Sequence, residues 1–223
     1  PMKINNWMLC YAVPEKTAQQ SYDFIEHYEI IFMAVFVILV ILLVLYIVHE
    51  NYRRDQELMK YAQTDALTGL YNKETTKLRT DEILSTDKDM IHAFLILDMD
   101  CFKQINDGYG HAVGDIVLQK FGQLLRDIFR EDDIVGRIGG DEFVVVMKNI
   151  KMKEMAIAKA EELLTKTQQY EIKELNGSAI SISIGIAMAP EDGECYMDLY
   201  KNADTALYET KQNGKDGYHV YMR

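Results

Sequence analysis

An uncharged stretch of nineteen residues, Ile30 to Val48, most constrains how this chain can fold. It contains no Pro, no Gly and no charged side chain. A helix of roughly 20 residues matches the hydrocarbon core of a bilayer, which is about 30 Å thick. The stretch therefore predicts one membrane-spanning helix over residues 30–48. The alternative is a helix buried in a protein core.

The charges that flank this stretch predict its orientation. Three basic residues follow it: Arg53, Arg54 and Lys60. Acidic residues outnumber basic ones before it. Because cytoplasmic flanks carry the excess of Lys and Arg, residues from 49 onward are expected in the cytoplasm. Residues 1–29 are then the extracytoplasmic segment of a single-pass protein of the inner membrane. Pro1 precedes Met2, so this segment is expected to be incomplete.

Residues 49–64 are expected to link the membrane to a globular domain. They are rich in charge and lack Pro and Gly. From the end of the apolar stretch into this segment, three larger residues recur seven apart: Leu45, Tyr52 and Met59. This interval fits either a parallel coiled coil that pairs two copies of the chain or a solvated connecting helix. A Gly and an Asn soon after Asp65 break the pattern, which places the globular domain at residues 65–223.

Charge and cysteine content exclude some functions for that domain. The formal net charge of the chain is −11, whereas a nucleic-acid-binding surface is expected to be basic. We therefore expect no nucleic-acid partner. Three cysteines lie far apart, at positions 10, 101 and 195. This spacing fits neither a disulfide framework nor a zinc site, and it suits a reducing compartment.

Within the globular part, helical and strand patterns alternate. Residues 91–97 form a continuous apolar run, which is typical of a strand covered on both faces. Residues 180–188 alternate strictly between bulky and small side chains, which is typical of a second strand. Helical spacing recurs near residues 113–129 and 199–207. The fold class predicted is α+β, with a largely antiparallel sheet flanked by helices.

A Gly-Gly pair separates two further strand-like runs, residues 133–138 and 142–147. Gly139 and Gly140 are expected to supply the positive φ angles that a two-residue hairpin turn requires. Because this tip has no side chains, the phosphates of a ligand could approach its backbone closely. Alone, such a pair is usually an ordinary hairpin.

The acids around this hairpin suggest a cation site. The first apolar run ends in Asp98 and Asp100, and carboxylates are costly to bury unless they are paired or bind a metal. The neighbouring hairpin would bring Asp141 close. Carboxylate oxygens together with a backbone carbonyl suit Mg²⁺. An acidic strand end exposed to water is the alternative.

Residues 101–111 are predicted to form a loop, because they contain two Gly and an Asn-Asp-Gly sequence. Lys103 and the backbone amides of such a loop could hold a polyphosphate. Asn106 offers a donor and an acceptor to the edge of a base.

Five motifs in order resemble the GGDEF domain of diguanylate cyclases over about residues 62–223. They are Asp65-x-Leu67-Thr68-Gly69-Leu70-x-Asn72, Asp98-x-Asp100-x-Phe102-Lys103-x-x-Asn106-Asp107, Gly110-His111-x-x-Gly114-Asp115, Arg137-x-Gly139-Gly140-Asp141-Glu142-Phe143 and Ala203-Asp204-x-Ala206-Leu207-Tyr208-x-x-Lys211. The resemblance implies a five-stranded sheet wrapped by helices, akin to nucleotidyl cyclase and polymerase palm domains. It also implies an Mg²⁺-dependent enzyme, with Mn²⁺ as an alternative ion. The implied reaction condenses two GTP into cyclic di-GMP between two facing domains of a homodimer and releases pyrophosphate.

The resemblance also implies a role for each matching residue. Asp98, the Met99 carbonyl and Asp141 would bind the metal, and Asp141 and Lys103 would be catalytic. The implied substrate contacts come from seven residues: Phe102, Lys103, Asn106, His111, Asp115, Lys211 and Lys215. Among them, Asn106 and Asp115 would read guanine. Glu142 is expected on the face opposite Asp141 and ranks below these residues.

A second site is implied just before the hairpin. Arg130-Glu131-Asp132-Asp133 matches the family's RxxD inhibitory motif, at which the product cyclic di-GMP binds. A solvated loop is the alternative reading of four charged residues.

Three positions depart from the family pattern. Lys73 and Lys215 replace common arginines, and Asp216 replaces a common asparagine. An ammonium group cannot reproduce the two-pronged contact of a guanidinium, so these departures bear on phosphate contact.

The sequence thus predicts a membrane-anchored diguanylate cyclase. One alternative is a non-catalytic domain of this family that senses GTP or cyclic di-GMP. Another is a receptor whose main task is to bind a ligand outside the cell.

Overall fold

The computed structural model describes defined parts of the chain. The backbone is described for residues 2–4, 7–9, 15–170, 172–175 and 180–222, and side chains for residues 28–29, 31–52, 63–170, 172–175 and 180–222. The chain divides into two compact units, residues 1–58 and 59–223.

The first unit contains a two-stranded antiparallel sheet, β1 (Met2–Ile4) and β2 (Trp7–Leu9), and most of a long helix, α1 (Glu15–Gln63). Within the described residues, one span of α1, Ile31–Tyr52, is long and apolar enough to cross a membrane. This judgement rests on length and composition alone. None of the span is buried within the structure, so the alternative of a buried core helix is not supported.

The second unit is built on a sheet whose strands lie in the order β4-β5-β3-β6-β7. The strands are β3 (His92–Met99), β4 (Ile134–Arg137), β5 (Glu142–Met147), β6 (Ile182–Ala189) and β7 (Gly217–Val220). All pairs are antiparallel except β6 with β7. The predicted fold class, a five-stranded and mostly antiparallel sheet, is therefore confirmed.

Helices cover both faces of this sheet. They are α2 (Lys73–Thr86), α3 (Phe102–Tyr109), α4 (His111–Ile128), α5 (Glu154–Gln169) and α6 (Tyr196–Gln212), with a short 3₁₀ turn at Lys173–Leu175. Strand β3 is buried along its whole length, as its continuous apolar run predicts. Leu95 and Leu97 belong to the core under α4 and α5, whereas Phe94 and Ile96 belong to the core under α2 and α6.

The alternation in β6 has a packing explanation. Its bulky residues, such as Ile184, lie in the core under α4 and α5, and its small residues face α6. A Cβ built on Gly185 would overlap the Ala203 carbonyl and the Leu207 amide, and it would stand 2.8 Å from Leu207 Cβ. The small face of β6 therefore allows α6 to approach the sheet closely.

Two local predictions are wrong. Residues 102–109 form helix α3, not a loop. Phe102 and Ile105 pack against the core and so favour a helix, while Gly110, at φ +87°, separates α3 from α4. The hairpin is also wider than expected, because four residues separate β4 from β5. Neither Gly139 nor Gly140 has a positive φ angle.

Candidate active site

Three acids meet where the central strands end. Register places Glu142, the first residue of β5, directly opposite Asp98 near the end of β3. The Met99 amide donates to the Asp141 carbonyl at 3.3 Å. Hydrogen bonding of the backbone thus brings the hairpin tip and the end of β3 together.

The sequence-based expectation ranked Glu142 below the other acids. It assumed that Asp141 and Glu142 alternate along one strand, but β5 begins only at Glu142, so Asp141 belongs to the turn. Glu142 lies across from Asp98, and burial, followed by the charge of Asp98, raises the pKa of Glu142.

This cluster has too little positive charge for its acids. Burial is the main cause that raises the pKa of Asp98, and the charges of Asp141 and Asp100 raise it further. Burial also raises the pKa of Glu142, together with the charges of Asp98 and Asp141. Each carboxylate is therefore held at a cost that a nearby cation would relieve.

Lys211, in the last turn of α6, supplies one such cation. Its Nζ lies 2.8 Å from Asp98 Oδ1, and this contact lowers the pKa of Asp98 without cancelling the effect of burial. The predicted phosphate ligand thus pairs with a predicted metal ligand in this structure.

The chemistry of the cluster fits a divalent metal ion. Mg²⁺ prefers a few carboxylates and leaves coordination positions for water and substrate phosphates. Among the described residues, no group of three His, Cys, Asp or Glu side chains is arranged to hold a metal by itself. The set that the motifs predict, Asp98, the Met99 carbonyl and Asp141, contains only two carboxylates.

Asp100 has a structural role. Its carboxylate accepts hydrogen bonds from Ser181 Oγ at 2.6 Å, from Ser183 Oγ at 2.8 Å and from the Asp216 amide at 3.1 Å. These bonds explain how the sheet tolerates a buried acid. They also tie β6 and the loop after α6 to the end of β3.

Helices α3 and α4 carry most of the predicted substrate contacts. Lys103 lies in the first turn of α3 and is exposed, while Phe102 and Asn106 are half-buried. His111 and Asp115 lie at the start of α4 and are exposed. The Asn106 side chain lies against Gly114 and is thus beside the turn that carries Asp115.

The departures Lys215 and Asp216 lie in the loop between α6 and β7. Both have positive φ angles, 65° and 46°. Lys215 Nζ lies 3.6 Å from the Sγ of Cys101, the residue that follows Asp100. This contact places Lys215 beside the beginning of α3 and Lys103.

Arg137 ties the hairpin to the entrance of the domain. Its Nη1 donates to Asp65 Oδ1 at 3.0 Å and to Oδ2 at 3.2 Å. Its Nε and Nη2 donate to the Gly140 carbonyl at 3.1 and 2.8 Å. Sequence motifs contain both residues but did not indicate that they pair. One guanidinium thus holds Asp65 and the residue just before Asp141.

The predicted inhibitory residues lie at the other end of β4 from the hairpin tip. The exposed Arg130 and the buried Asp133 line a cavity of about 380 Å³ together with Gly69, Tyr71 and Arg126. Both Asp133 oxygens accept backbone hydrogen bonds, from the Arg130 and Lys148 amides at 3.0 Å each. Asp133 therefore shapes the turn that presents Arg130.

Another cavity, of about 490 Å³, lies where β3 begins and β6 ends, beside His92 and Pro190. None of the predicted site residues lines it. The chemistry of the acids, rather than cavity volume, identifies the candidate active site.

A five-stranded sheet with an acidic hairpin beside its central strand, backed by a lysine, defines an α+β domain suited to a phosphorylated ligand. Residues 62–217 match the family model described as diguanylate cyclase, GGDEF domain. The chain belongs to this GGDEF diguanylate cyclase family.

Relatives and solved structures agree with this assignment. Diguanylate cyclase A of Treponema denticola is 30% identical over 225 residues, covering 97% of this chain and 57% of that protein. The bifunctional diguanylate cyclase/cyclic di-GMP phosphodiesterase MucR of Pseudomonas aeruginosa is 37% identical over 169 residues, covering 74% and 24%. The GGDEF domain of TpbB from Pseudomonas aeruginosa is 33% identical with a TM-score of 0.67, covering 71% of this chain and 94% of that structure. The chain spans between about a quarter and just over half the length of the first curated relatives it matches.

Proposed function

We propose that this chain is a diguanylate cyclase that converts two GTP into cyclic di-GMP and two pyrophosphates. The observation that carries the proposal is the meeting of Asp98, Asp141 and Glu142 at the end of β3, with Lys211 paired to Asp98. An acidic cluster in which one lysine does not offset the burial of Asp98 suits the joint binding of a metal ion and a triphosphate.

Each domain would hold one GTP, so two domains of a homodimer would face each other. The 3′-hydroxyl of each GTP attacks the α-phosphorus of the other, its proton leaves, and the bond to pyrophosphate breaks. Mg²⁺, or Mn²⁺, held by Asp98, the Met99 carbonyl and Asp141 would neutralise charge on the phosphates. Such transfer depends mainly on alignment and charge neutralisation.

The residues of the chain have separate tasks in this proposal. Lys103 stabilises charge on the phosphates, and Lys211 and Lys215 hold them. Asp141 would accept the hydroxyl proton. Asn106 and Asp115 bind the edge of guanine, supported by Phe102 and His111, which lie on the same pair of helices.

We further propose feedback by the product. The cavity beside Arg130 and Asp133 has an exposed guanidinium and Arg126 in its lining, which suits the phosphates of cyclic di-GMP. The site lies away from the acidic cluster, so its ligand would act on how two domains meet rather than compete with GTP.

The proposed arrangement in the cell is a single-pass protein of the inner membrane. Residues 30–48 would be the anchor, which the apolar span Ile31–Tyr52 supports, residues 49–64 the linker, and residues 65–223 a cytoplasmic domain. The basic residues after the apolar stretch support this orientation.

The test uses the compact unit of residues 59–223, incubated with GTP and Mg²⁺ and analysed for products by mass spectrometry. Wild type is expected to make cyclic di-GMP, and Asp141→Ala to make none. Arg130→Ala is expected to make it without product inhibition, while Lys120→Gln, on the far surface of α4, serves as a matched control. If the wild-type unit, fused to a dimerising coiled coil, binds GTP but makes no product, the family member is a nucleotide sensor instead.

A further inference from the structure

Gly114, in the first turn of α4, is buried against α3. A Cβ built on it would overlap Asn106 Oδ1, and it would stand 3.1 Å from Asn106 Cγ and 3.2 Å from Phe102 Cζ. The Asn106 amide therefore occupies the space that a side chain at position 114 would fill.

The backbone around this contact is held firmly. The Gly110 amide donates to the Asn106 carbonyl at 2.9 Å, and the Gly114 amide donates to the Gly110 carbonyl at 3.2 Å. These bonds join both helices at their junction and oppose a backbone shift that would relieve crowding at Gly114. Crowding there would move the Asn106 side chain instead.

We propose that Gly114 determines nucleotide specificity by positioning Asn106. Without a side chain at 114, the Asn106 amide lies against α4, next to the turn that carries Asp115, so that both can face the same base. The inference rests on the proposed function, in which these two side chains bind guanine. Gly114 is a positioning residue and does not itself contact the nucleotide.

The geometry separates this role from an ordinary packing role. At Gly185 the two closest obstructing atoms belong to the backbone of α6, whereas at Gly114 the closest atom is the free end of one side chain. Gly114→Ala can therefore be accommodated by rotation of Asn106 and a slight shift of Phe102. Alanine also favours helix more than glycine does, so the variant is expected to fold.

The test measures displacement of a fluorescent GTP analogue from the detergent-solubilised full chain by GTP and by inosine triphosphate. Inosine lacks the 2-amino group of guanine, so the ratio of the two affinities reports how well the edge of the base is bound. Gly114→Ala is expected to reduce the preference for GTP about three- to tenfold, the loss expected for one or two hydrogen bonds.

Gly108→Ala is the matched control. It makes the same substitution in α3, and a Cβ there would meet no atom within 4 Å, so the GTP preference should stay within about twofold of wild type. Asn106→Gln disturbs the same contact by changing the residue that packs against Gly114. Its longer amide no longer fits beside Gly114, and the preference should fall as in Gly114→Ala.

A double-mutant cycle decides whether the effect passes through Asn106. In an Asn106→Ala background, Gly114→Ala should change GTP affinity less than about twofold. Equal preferences in Gly114→Ala and Gly108→Ala, or a full effect in the Asn106→Ala background, would overturn the inference. So would a fall in melting temperature above about 5 °C for Gly114→Ala alone. A wild type that binds no guanine nucleotide would refute the proposed function as well, which distinguishes the two failures.

Discussion

The contact between Arg137 and Asp65 allows the most quantitative prediction. The Arg137 side chain is 14% exposed and that of Asp65 is 24% exposed. The Arg137 guanidinium makes two hydrogen bonds to Asp65 and two to the Gly140 carbonyl. Burial alone would raise the pKa of Asp65, but hydrogen bonds from Thr68 and Arg137 lower it overall.

Arg137→Gln removes the charge and most of these bonds. Hydrogen bonds to charged groups contribute about 1.5–3 kcal/mol each when one partner is removed. They are not additive here, because one group donates them all. We expect the free energy of unfolding to fall by about 2–4 kcal/mol, and the melting temperature by about 5–10 °C. Asp65→Asn, which keeps an acceptor for Thr68, should cost about 1–2 kcal/mol.

The assay is urea unfolding of residues 59–223, followed by far-ultraviolet circular dichroism. Lys120→Gln is the control, because it breaks an exposed ion pair of similar length, 2.8 Å to Glu174, with side chains 31% and 35% exposed. It should cost no more than about 1 kcal/mol. Displacement of the hairpin tip in Arg137→Gln should also slow cyclic di-GMP synthesis about 10- to 100-fold.

A double-mutant cycle supplies the decisive comparison. Arg137→Gln and Asp65→Asn should show a coupling energy of about 1–2 kcal/mol. If the two losses simply add, or if Arg137→Gln costs no more than Lys120→Gln, the guanidinium does not connect the hairpin to the domain entrance.

Three further outcomes follow from packing and charge. Asp98→Asn should raise the free energy of unfolding at pH 7 by about 0.5–2 kcal/mol in urea titrations, because burial holds the pKa of Asp98 above its usual value. That advantage should shrink as the pH falls through the raised pKa and the wild-type carboxyl becomes neutral. Gly185→Ala should lower the free energy of unfolding by about 3 kcal/mol, because α6 must move to make room for the new Cβ. Gly140→Ala is the control. Its Cβ would meet open space, so the free energy of unfolding should change by less than about 0.5 kcal/mol. In calorimetric titrations, Lys211→Gln should weaken GTP binding more than Lys120→Gln does.

Local patterns predicted much of this fold. The continuous apolar run of β3, the alternation of β6 and the helical spacing of α4 are each visible within one short segment of the sequence. The residue types at the end of β3 also indicated where carboxylates would collect. These predictions succeeded because each depends on neighbours in sequence, which set the side-chain direction along a helix or strand.

Tertiary structure decided which side chains meet. Residues 102–109 contain loop-forming residues, yet packing of the half-buried Phe102 and Ile105 against the core favours a helix. Register across two strands, rather than alternation along one, places Glu142 opposite Asp98.

The sequence by itself determined the family motifs, the apolar helix and the sheet. Only the tertiary structure showed that Arg137 holds Asp65, that Asp100 is satisfied by two serines, and that Lys211 pairs with Asp98. These contacts join residues far apart in the chain. Their partners depend on strand register and helix docking, and no period within a short segment encodes either.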